Sequence, residues 1–420
     1  MPRSKLSITE TLSSLSVSIY LPSMLTAIGR GGALVALPLY VLDQGGGPFL
    51  AALVVGLRSL GTMVSNVPSS QLAAIQSDKA VMLLGLATMT VAAVGLASLS
   101  SLAFLCASAL LLGAGSGSWI VARLLHITES VRLEQRGRTI SVMAGIERAG
   151  ALIGPALAGF ALQSFGYLFV FAGIGCLFLA AFLLCLWKTS KIKVRTSSRV
   201  SIGVVQITIR FYQVFLKSGS VMLCLSYLRN ARIFLIPVWG VAIGLSPGEI
   251  GLVMSLSSAI DMLMFLPAGY VLDTLGRKIN LISSLVLMSC STVLLPLAGS
   301  FVPFLIVAMF AGLGNGLGTG IVMTIGGDLS PRYGRSQFLG VWRLVGDVGG
   351  VVSPFAIGMI AQSASMLIAC AFSGMLGFVG VALAFWFVPE TLKKRVIGQE
   401  LSASPKVDGA DLRPREKSEA

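Results

Sequence analysis

Residues 311–316 read AGLGNG, and residues 112–117, far upstream, read LGAGSG. The three glycines of the first stretch lie 199 positions after the three glycines of the second. The same shift superimposes further residues: Pro38 on Pro237, Pro68 on Pro267, Pro155 on Pro354, Glu129 on Asp328, and Gly159 on Gly358. One constant offset over several apolar segments indicates that the chain consists of two consecutive copies of one structural unit.

The composition is that of a chain whose main solvent is lipid. Hydrophobic residues make up 55% of the 420 residues, only 11% are charged, and the mean hydropathy is +0.88. A soluble globular protein carries about 25% charged residues. Twelve apolar segments have roughly the 20 residues that a membrane-spanning helix needs: 15–42, 49–73, 80–98, 101–125, 139–163, 166–187, 219–243, 248–271, 279–298, 301–325, 337–362 and 365–388. Their length and number favour helices over buried strands, so we predict an all-α membrane protein of two pseudo-symmetric six-helix bundles.

The basic residues fall between the apolar segments, on alternate connections. The formal net charge is +14, but the basic residues are not interleaved with aromatic ones, which argues against nucleic-acid binding. The positive-inside rule instead predicts that the basic connections are cytoplasmic. Their basic residues are Lys79, Arg132, Arg136, Arg138, Arg277, Lys278, Arg332 and Arg335. An even number of spans then places both termini in the cytoplasm, and we predict a multi-pass protein of the cell membrane.

These patterns predict five regions along the chain. The linker between the halves alone carries seven Lys and Arg residues, which agrees with a cytoplasmic location. The predicted regions are a cytoplasmic N-terminus without a cleavable signal (1–14), the first bundle (15–187), the basic linker (188–218), the second bundle (219–388) and a polar, disordered cytoplasmic tail (389–420).

Few residues offer the chemistry of a catalytic or metal centre. All six cysteines lie in apolar segments without a CxxC spacing, which indicates small buried residues. His126 is the only histidine, which argues against a histidine metal site or a catalytic triad. The glycines of GLGNGLGTG, 312–320, follow no predicted strand, and their spacing at 312, 316 and 320 favours helix packing over phosphate binding. We therefore expect no metal, no cofactor and no enzymatic activity.

The connection between the eighth and ninth segments carries the most specific local motif. It reads GYVLDTLGRK, residues 269–278, and resembles the loop motif of the major facilitator superfamily. The matching residues are Gly269, Asp273, Gly276, Arg277 and Lys278, with Asp328 as a further acidic member. The resemblance implies secondary transport by alternating access, with a charge cluster here that breaks as the halves rock; a simple topology anchor is the alternative. The first copy, residues 68–79, lacks the two glycines and the aspartate.

The fifth segment contains GALIGPALAG, residues 150–159, which resembles a motif of drug:proton antiporters in the same superfamily. The matching residues are Gly150, Gly154, Pro155 and Gly159, whereas Ala158 replaces a glycine. The resemblance implies proton-linked export. Ordinary packing of small residues between helices is the alternative.

Charged residues inside the apolar segments are functional candidates, because an unpaired charge at mid-membrane is costly. In this superfamily the second span packs on the eleventh, and the fifth on the eighth. At about 1.5 Å per residue, Arg58 and Asp347 lie at similar depths, and so do Arg148 and Asp261. We predict that both are ion pairs between the halves that form and break as access alternates; permanent structural pairing is the alternative. A released carboxylate, Glu147, Asp261 or Asp347, then carries the coupled proton.

Two further arginines match under the repeat. Arg30 lies eight residues before Pro38, and Arg229 lies eight residues before Pro237. Guanidinium groups suit bidentate binding of phosphate or carboxylate, and this placement resembles the matched arginines of organophosphate:phosphate antiporters. We predict that Arg30 and Arg229 bind substrate; hydrogen bonding to backbone carbonyls at helix breaks is the alternative. Arg232 has no counterpart and is interpreted as a local pairing or water-lining residue.

The favoured function is proton-linked export of small amphipathic or organic-anionic molecules by a monomeric transporter in the lipid bilayer. Uptake or exchange of an organic anion or organophosphate is the second possibility, and it depends on the arginine pair. A non-transporting receptor or scaffold is the third, and the repeat and the intramembrane charges argue against it.

Overall fold

A computed structural model describes residues 16–98, 101–131, 133–189, 203–331 and 333–392. Within these ranges the chain is helical apart from short connections and contains no strand. The long helices are α1 (Ser16–Asp43), α2 (Pro48–Ile75), α3 (Asp78–Ser98), α4 (Leu102–Ser130), α5 and α6 (together Leu133–Lys188), α7 (Tyr212–Ala242), α8 (Pro247–Thr274), α9 (Arg277–Leu297), α10 (Phe301–Leu329), α11 (Arg335–Ser363) and α12 (Met366–Phe387). A short helix, Val204–Arg210, precedes α7. The predicted N-terminus, most of the linker and nearly all of the tail lie outside the described residues.

One continuous helical stretch holds two spans, α5 and α6. Its 56 residues would extend over about 84 Å, far more than the ~30 Å hydrocarbon core of a bilayer. Gly166 breaks the stretch with φ +79° and ψ 179°, a conformation that glycine adopts without steric cost. The eleven apolar helices of the described ranges therefore provide twelve spans, which confirms the predicted fold class.

Several spans contain residues that interrupt a regular helix. Prolines lie inside α1, α2, α5, α7 and α11, at Pro38, Pro68, Pro155, Pro237 and Pro354. A membrane protein tolerates such residues where neighbouring helices satisfy the freed backbone groups. In α10 the first helical part ends at Leu317 and the second begins at Ile321. Gly320 makes this break possible with φ +76°.

The helices pack in two groups that follow the sequence repeat. In the first half α1 packs on the α5–α6 stretch, α2 on α4, and α3 on α4 and α6. In the second half α7 packs on α11 and α12, α8 on α10, and α9 on α10 and α12. The halves meet mainly through α5 against α8 and α2 against α11. These are the two helix pairs that the family resemblance implied.

The halves touch most closely at one end of the bundle. A Cβ atom added to Gly159 of α5 would lie 2.4 Å from the carbonyl oxygen of Pro247 in α8. A Cβ atom added to Gly358 of α11 would lie 2.2 Å from the Cβ of Ala52 in α2. Only glycine allows backbones to approach this closely. The opposite end, with the α2–α3 and α8–α9 connections, is called the basic end below.

Large apolar side chains cover the outer surface of the bundle. Phe104, Leu168, Leu266 and Trp386 are each more than half exposed. Such a surface is stable against lipid tails but not against water. The chain is therefore a multi-pass integral membrane protein.

Candidate functional site

A cavity of about 340 Å³ lies where α5, α7 and α10 meet. Cavities of roughly this volume accommodate small ligands. Its lining residues are Arg148, Arg229, Arg232, Ile233, Asn315, Thr319 and Gly320. Three of these seven residues are arginines, and three belong to the segment in which α10 is broken. The broken helix thus directs polar groups toward the centre of the protein.

Arg229 binds the backbone at the break in α10. Its Nη2 donates a hydrogen bond to the carbonyl oxygen of Gly318 at 2.5 Å. Carbonyl groups at a helix C-terminus lack intrahelical partners and carry partial negative charge, so a guanidinium group is favourable there. Arg229 thus makes the backbone hydrogen bond at a helix break that we gave as the alternative to substrate binding. It also lines the cavity.

Arg148 forms an ion pair with Asp261 across the interface between the halves. Arg148 Nη1 lies 2.9 Å from Asp261 Oδ1, and Arg148 Nη2 donates to Thr319 Oγ1 at 2.8 Å. The second carboxylate oxygen of Asp261 accepts a hydrogen bond from Asn315 Nδ2 at 2.9 Å. The ring of Phe265 lies 4.9 Å from the Arg148 guanidinium carbon. The structure therefore brings this predicted pair together and ties it to α10.

The other predicted pair, Arg58 with Asp347, does not form in the structure. Gly56 of α2 faces the ring of Phe355 in α11, and the two helices are antiparallel, so Arg58 is level with α11 residues near 353. Asp347 lies about 9 Å farther toward the basic end, where its Oδ2 accepts a hydrogen bond from Asn66 Nδ2 at 3.3 Å. The predicted depth of Asp347 was therefore wrong by nearly two helical turns toward the outer end, and Arg58 lacks its predicted partner.

Asp347 also approaches a basic residue of its own helix. Arg343 Nε lies 3.9 Å from Asp347 Oδ2, and the two side chains are 40% and 34% exposed. An exposed pair of this kind contributes little stability. Asp347 is thus held loosely compared with Asp261.

Arg30 does not face an open site, because Glu147 neutralises it. Arg30 Nη2 pairs with Glu147 Oε2, and Arg123 Nη1 pairs with Glu147 Oε1. Arg123 is buried, and its guanidinium carbon lies 5.7 Å from the ring centre of Trp119. Glu147 thus joins α1, α4 and α5 within the first half.

Arg232 lines the cavity and has only a neutral partner among the described residues. Its Nη1 donates to Ser257 Oγ at 3.0 Å, and that hydroxyl donates to the carbonyl oxygen of Ala308. The charged side chains at the depth of the cavity include Arg30, Arg58, Arg123, Arg148, Arg229, Arg232, Arg343, Glu147, Asp261 and Asp347. Seven guanidinium groups against three carboxylates leave an excess of positive charge.

The space between the halves opens toward the basic end. In the described ranges, the hydrogen bonds and ion pairs between halves that lie nearest this end are Asn66–Asp347 and Arg148–Asp261. Glu147 is 28% exposed although it lies within a span. Glu147 is thus partly accessible within the span, whereas the glycine contacts hold the halves together at the other end.

The loop motif between α8 and α9 forms a charge cluster inside the second half. Arg277 is 2% exposed and lies 3.6 Å from Asp273 and 3.5 Å from Asp328. Arg277 Nη1 also donates to the carbonyl oxygen of Leu272 at 2.8 Å. Gly269 has open space around its Cα. In this conformation the cluster connects α8, α9 and α10 and does not bridge the halves.

Glu390, which sequence reasoning missed, caps the first turn of α9. Its carboxylate accepts hydrogen bonds from the backbone N–H groups of Arg277 and Lys278, both at 3.0 Å. Gly276 adopts φ +115°, and a Cβ there would lie 2.3 Å from Glu390. Partial desolvation opposes ionisation, but the backbone hydrogen bonds, including one from Leu392, together with the charge of Arg277 hold the pKa of Glu390 below its usual range. The only sequence signal was an acid close behind the last span.

The first-half copy of this motif contains a different pair. Asp78 occupies the position that corresponds to Arg277, and its Oδ2 lies 2.5 Å from Nδ1 of His126. Lys79 donates to the carbonyl oxygens of Leu186 and Thr189, both at 2.7 Å. Lys278 binds the end of α12 through the carbonyl oxygen of Phe385 in the same way. The repeat thus preserves the lysine contact and changes the buried charge.

The antiporter-like glycines of α5 all serve close helix packing. A Cβ on Gly150 would lie 2.2 Å from the Cβ of Ala27, and one on Gly154 would lie 2.4 Å from the carbonyl oxygen of Ile28. These two glycines allow α5 to pack closely on α1, whereas Gly159 allows it to pack closely on α8. Pro155 contributes its carbonyl oxygen to the α8 contact. Packing therefore accounts for each of these small residues.

Sequence reasoning also missed the polar residues of α10. Asn315 and Thr319 hold the Arg148–Asp261 pair, and Ser257 of α8 holds Arg232. The signal was an amide and a hydroxyl within the apolar GLGNGLGTG stretch, which we interpreted as a packing series. Only the first part of the stretch is a packing series, since the helix ends at Leu317 and Gly320, which has open space around it, precedes the second helical part.

Comparisons with known proteins agree with this architecture. The family model described as Major Facilitator Superfamily matches residues 19–235 and 219–416. The hexuronate transporter of Bacillus subtilis is 27% identical over 146 residues, 35% of this chain and 35% of the relative. The nitrite extrusion protein of Bacillus subtilis is 29% identical over 124 residues, 29% of this chain and 30% of the relative. The chain thus matches about a third of the length of these curated relatives.

Two solved structures share the fold along nearly the whole chain. A D-xylose-proton symporter superimposes with a TM-score of 0.72 at 14% identity, covering 90% of this chain and 98% of its own. A POT family transporter in complex with a thioalcohol-conjugated peptide gives a TM-score of 0.71 at 13% identity, covering 89% of this chain and 95% of its own. At these identities the likeness concerns the fold alone.

Proposed function

The chain belongs to the major facilitator superfamily, and we propose that it is a secondary transporter of small organic anions that works by alternating access. The excess of guanidinium groups over carboxylates around the central cavity carries this proposal. A cationic solute would meet repulsion there, whereas a carboxylate or phosphate ester would receive charge-assisted hydrogen bonds. The names of two relatives, a hexuronate transporter and a nitrite extrusion protein, also refer to anions.

The positive-inside rule assigns the basic end to the cytoplasm, with both termini on that side of the cell membrane. The conformation described is then open to the cytoplasm and closed to the outside by the glycine contacts of α5 with α8 and of α11 with α2. In this assignment the halves rock about the central cavity, and the outer contacts separate when the inner ones form. The loop-motif cluster of Asp273, Arg277 and Asp328 then anchors the cytoplasmic end of the second half.

We assign the coupled proton to Glu147. Each of its oxygens binds one arginine, and its partial exposure gives protons a path from the open end. Protonation would remove its charge and free Arg30 and Arg123, which raises the positive field that meets the anion. Asp261 is less suited, because its side chain is 15% exposed, compared with 28% for Glu147.

Transport into proteoliposomes with an imposed pH gradient tests the proposal. The solutes are glucuronate, nitrite, a sugar phosphate and a lipophilic cation. We expect uptake of at least one anion, loss of its gradient dependence in Glu147→Gln, and at least a tenfold rise in KM in Arg229→Gln, about 1.4 kcal/mol of binding. Arg210→Gln, in the exposed short helix before α7, is the matched control. Transport of the cation alone would refute the anion assignment.

A further inference from the structure

We propose that Arg58, rather than Arg30, is the first-half arginine that binds substrate, and that with Arg229 it selects solutes with two anionic groups. This inference rests on the proposed anion transport and assigns its specificity. The sequence repeat matched Arg30 with Arg229, but the structure gives the two residues different surroundings. Arg58 has the surroundings that a binding residue requires.

The guanidinium group of Arg30 already has partners. Glu147 occupies its guanidinium group, and Arg30 Nε donates to the carbonyl oxygen of Thr26. Arg58 pairs with no acidic residue of the described chain, and its charged neighbour is Arg30, a like charge. Its Nε is buried and has no hydrogen-bond partner among the described residues. Buried donors without partners are rare in native structures and costly, so Arg58 is a candidate for a ligand contact.

Arg229 shares this feature. Only its Nη2 is engaged, by the carbonyl oxygen of Gly318, and its Nε is buried without a partner in the described ranges. Ser353 Oγ in α11 is likewise buried without a partner. Two guanidinium groups and one hydroxyl therefore have hydrogen-bonding capacity left at the interior of the described structure. A bound anion would satisfy it.

Arg58 and Ser353 lie at one level of the bundle. Gly56 of α2 faces Phe355 of α11, and the helices are antiparallel, so Arg58 is level with Ser353. The contact of Ala52 with Gly358, closer to the outer end, agrees with the same alignment.

The level of Arg229 follows from the contact of α11 with α7, which begin at the same end. A Cβ on Gly350 would lie 2.8 Å from Asn230 Nδ2. Ser353 is three residues beyond Gly350, and Arg229 is one residue before Asn230. The difference in depth between Arg229 and Ser353 is therefore about one turn, ~6 Å. Arg58 of α2 and Arg229 of α7 thus belong to different halves and lie at nearly the same depth.

Two cations that different halves hold at nearly the same depth favour a ligand with an anionic group at each end. The Arg229 side also offers Arg232, which lines the same cavity, so this side can bind a carboxylate or phosphate fully. The second anionic group of the solute then reaches Arg58. A monoanion would leave Arg58 unsatisfied and should bind more weakly. The substrate class is therefore short dicarboxylates and phosphorylated organic acids.

The test compares succinate with butyrate, which have equal carbon number and different charge, in proteoliposomes at neutral pH. For the wild-type protein we expect a KM for succinate at least tenfold below that for butyrate. Arg58→Gln should raise the succinate KM at least tenfold and leave the butyrate KM within about twofold, so that the preference disappears. Arg58→Lys should retain part of the preference, and Arg30→Gln all of it. Thermal unfolding in detergent identifies any variant that is misfolded. If Arg58→Gln is misfolded, Arg58→Lys is compared with the wild type instead.

The outcomes separate this inference from the function on which it depends. Suppose that the wild-type protein transports anions. If Arg58→Gln then keeps the succinate preference, or Arg30→Gln abolishes it, the Arg58 assignment is wrong and the proposed anion transport still stands. A wild-type preference for butyrate overturns the dianion class. A wild-type protein that transports no anion of either set refutes the proposed function, and the Arg58 assignment with it.

Discussion

The interface between α5 and α8 and the interface between α2 and α11 correspond to each other under the repeat, yet they differ in charge. Gly159 and its counterpart Gly358 both bring backbones into contact. The 199-residue shift converts Arg148 into Asp347 and Asp261 into Thr62, so the ion pair of the first interface has no equivalent in the second. The two copies have kept the packing that closes the outer end and have diverged in their charges.

This difference indicates that backbone packing and charge serve two separate functions at the interfaces. Backbone contact at glycines is non-polar and can re-form each time the halves rock. The charges decide which solute enters and how tightly each interface is held near the centre. The four predictions that follow test this division, beginning with the largest expected effect.

Removal of one partner of the Arg148–Asp261 pair should have the largest effect on stability and transport. Either Arg148→Gln or Asp261→Asn leaves a partly buried charge with neutral partners only, which typically costs about 3–5 kcal/mol. We expect a loss of that order in the free energy of unfolding in detergent, together with loss of transport in proteoliposomes. Arg210→Gln, in the exposed short helix before α7, should change neither.

The double variant Arg148→Asp with Asp261→Arg completes this experiment. If the pair acts through its mutual attraction, the exchange should recover part of the stability and give a coupling energy above about 1 kcal/mol in a double-mutant cycle. Normal transport by either single variant would show that the pair is irrelevant to the cycle.

The contrast between the two interfaces also shows what the sequence could and could not predict. Helix number, the two bundles and the Arg148–Asp261 contact follow from segment length, the repeat and depth along the helix axis. Arg58–Asp347 was wrong by nearly two turns because depth was counted from uncertain segment ends. The repeat itself contained the correction, since it places Asp347 opposite position 62, one turn from Asn66.

The Glu147 cluster was beyond prediction for a different reason. Its contacts with Arg30 and Arg123 depend on the direction in which each side chain leaves its helix, and depth carries no information about that direction. The cap formed by Glu390 depends on how the chain after α12 folds back, which no periodic pattern encodes. Sequence patterns therefore gave the scaffold and left most of the site to be found in the structure.

Alanine at the two interface glycines should have similar and intermediate effects. The new Cβ would lie 2.4 Å from backbone at Gly159 and 2.2 Å from Ala52 at Gly358, so the helices must separate. Overpacking of this kind costs about 1–3 kcal/mol. We expect Gly159→Ala and Gly358→Ala to lower the unfolding midpoint and to increase labelling of a cysteine at Ile233, in a cysteine-free background, by a reagent applied from the outer side.

Gly145→Ala is the matched control, because this glycine lies in the same helix as Gly159 and has open space around it. It should not reduce stability, since alanine favours the helix by about 1 kcal/mol. Equal midpoints for Gly145→Ala and Gly159→Ala would show that the outer contact is not close packed.

Glu390 lies away from both interfaces and should affect stability alone. Glu390→Gln weakens the cap of α9, which we expect to cost about 1 kcal/mol at pH 7. The pKa of Glu390 is lowered in the folded protein, so its contribution is complete above the ordinary glutamate pKa of about 4.3. It is lost as the pH falls through the lower folded value.

Thermal unfolding of wild type and Glu390→Gln in detergent between pH 7 and pH 3 measures this contribution. The two curves should converge at the acid end, and the KM for the transported anion should stay unchanged. Glu129→Gln, which removes a glutamate without a hydrogen bond or ion pair in the described part of the chain, is the control. A constant difference at every pH would mean that the carboxylate charge is not what stabilises the cap.

Asp347→Asn should have the smallest effect, although Asp347 is the repeat counterpart of Arg148. Its partners are the Asn66 amide at 3.3 Å and the half-exposed Arg343 at 3.9 Å, and an exposed pair contributes about 0–1 kcal/mol. We expect an unfolding free energy within about 0.5 kcal/mol of wild type and unchanged transport. If Asp347→Asn instead abolishes transport while stability holds, Asp347 must pair in the outward-open state, and both interfaces then alternate between ion-paired and open forms. The charge difference between the two interfaces would in that case belong to one conformation of the cycle, and it would not mean that only one interface uses ion pairing.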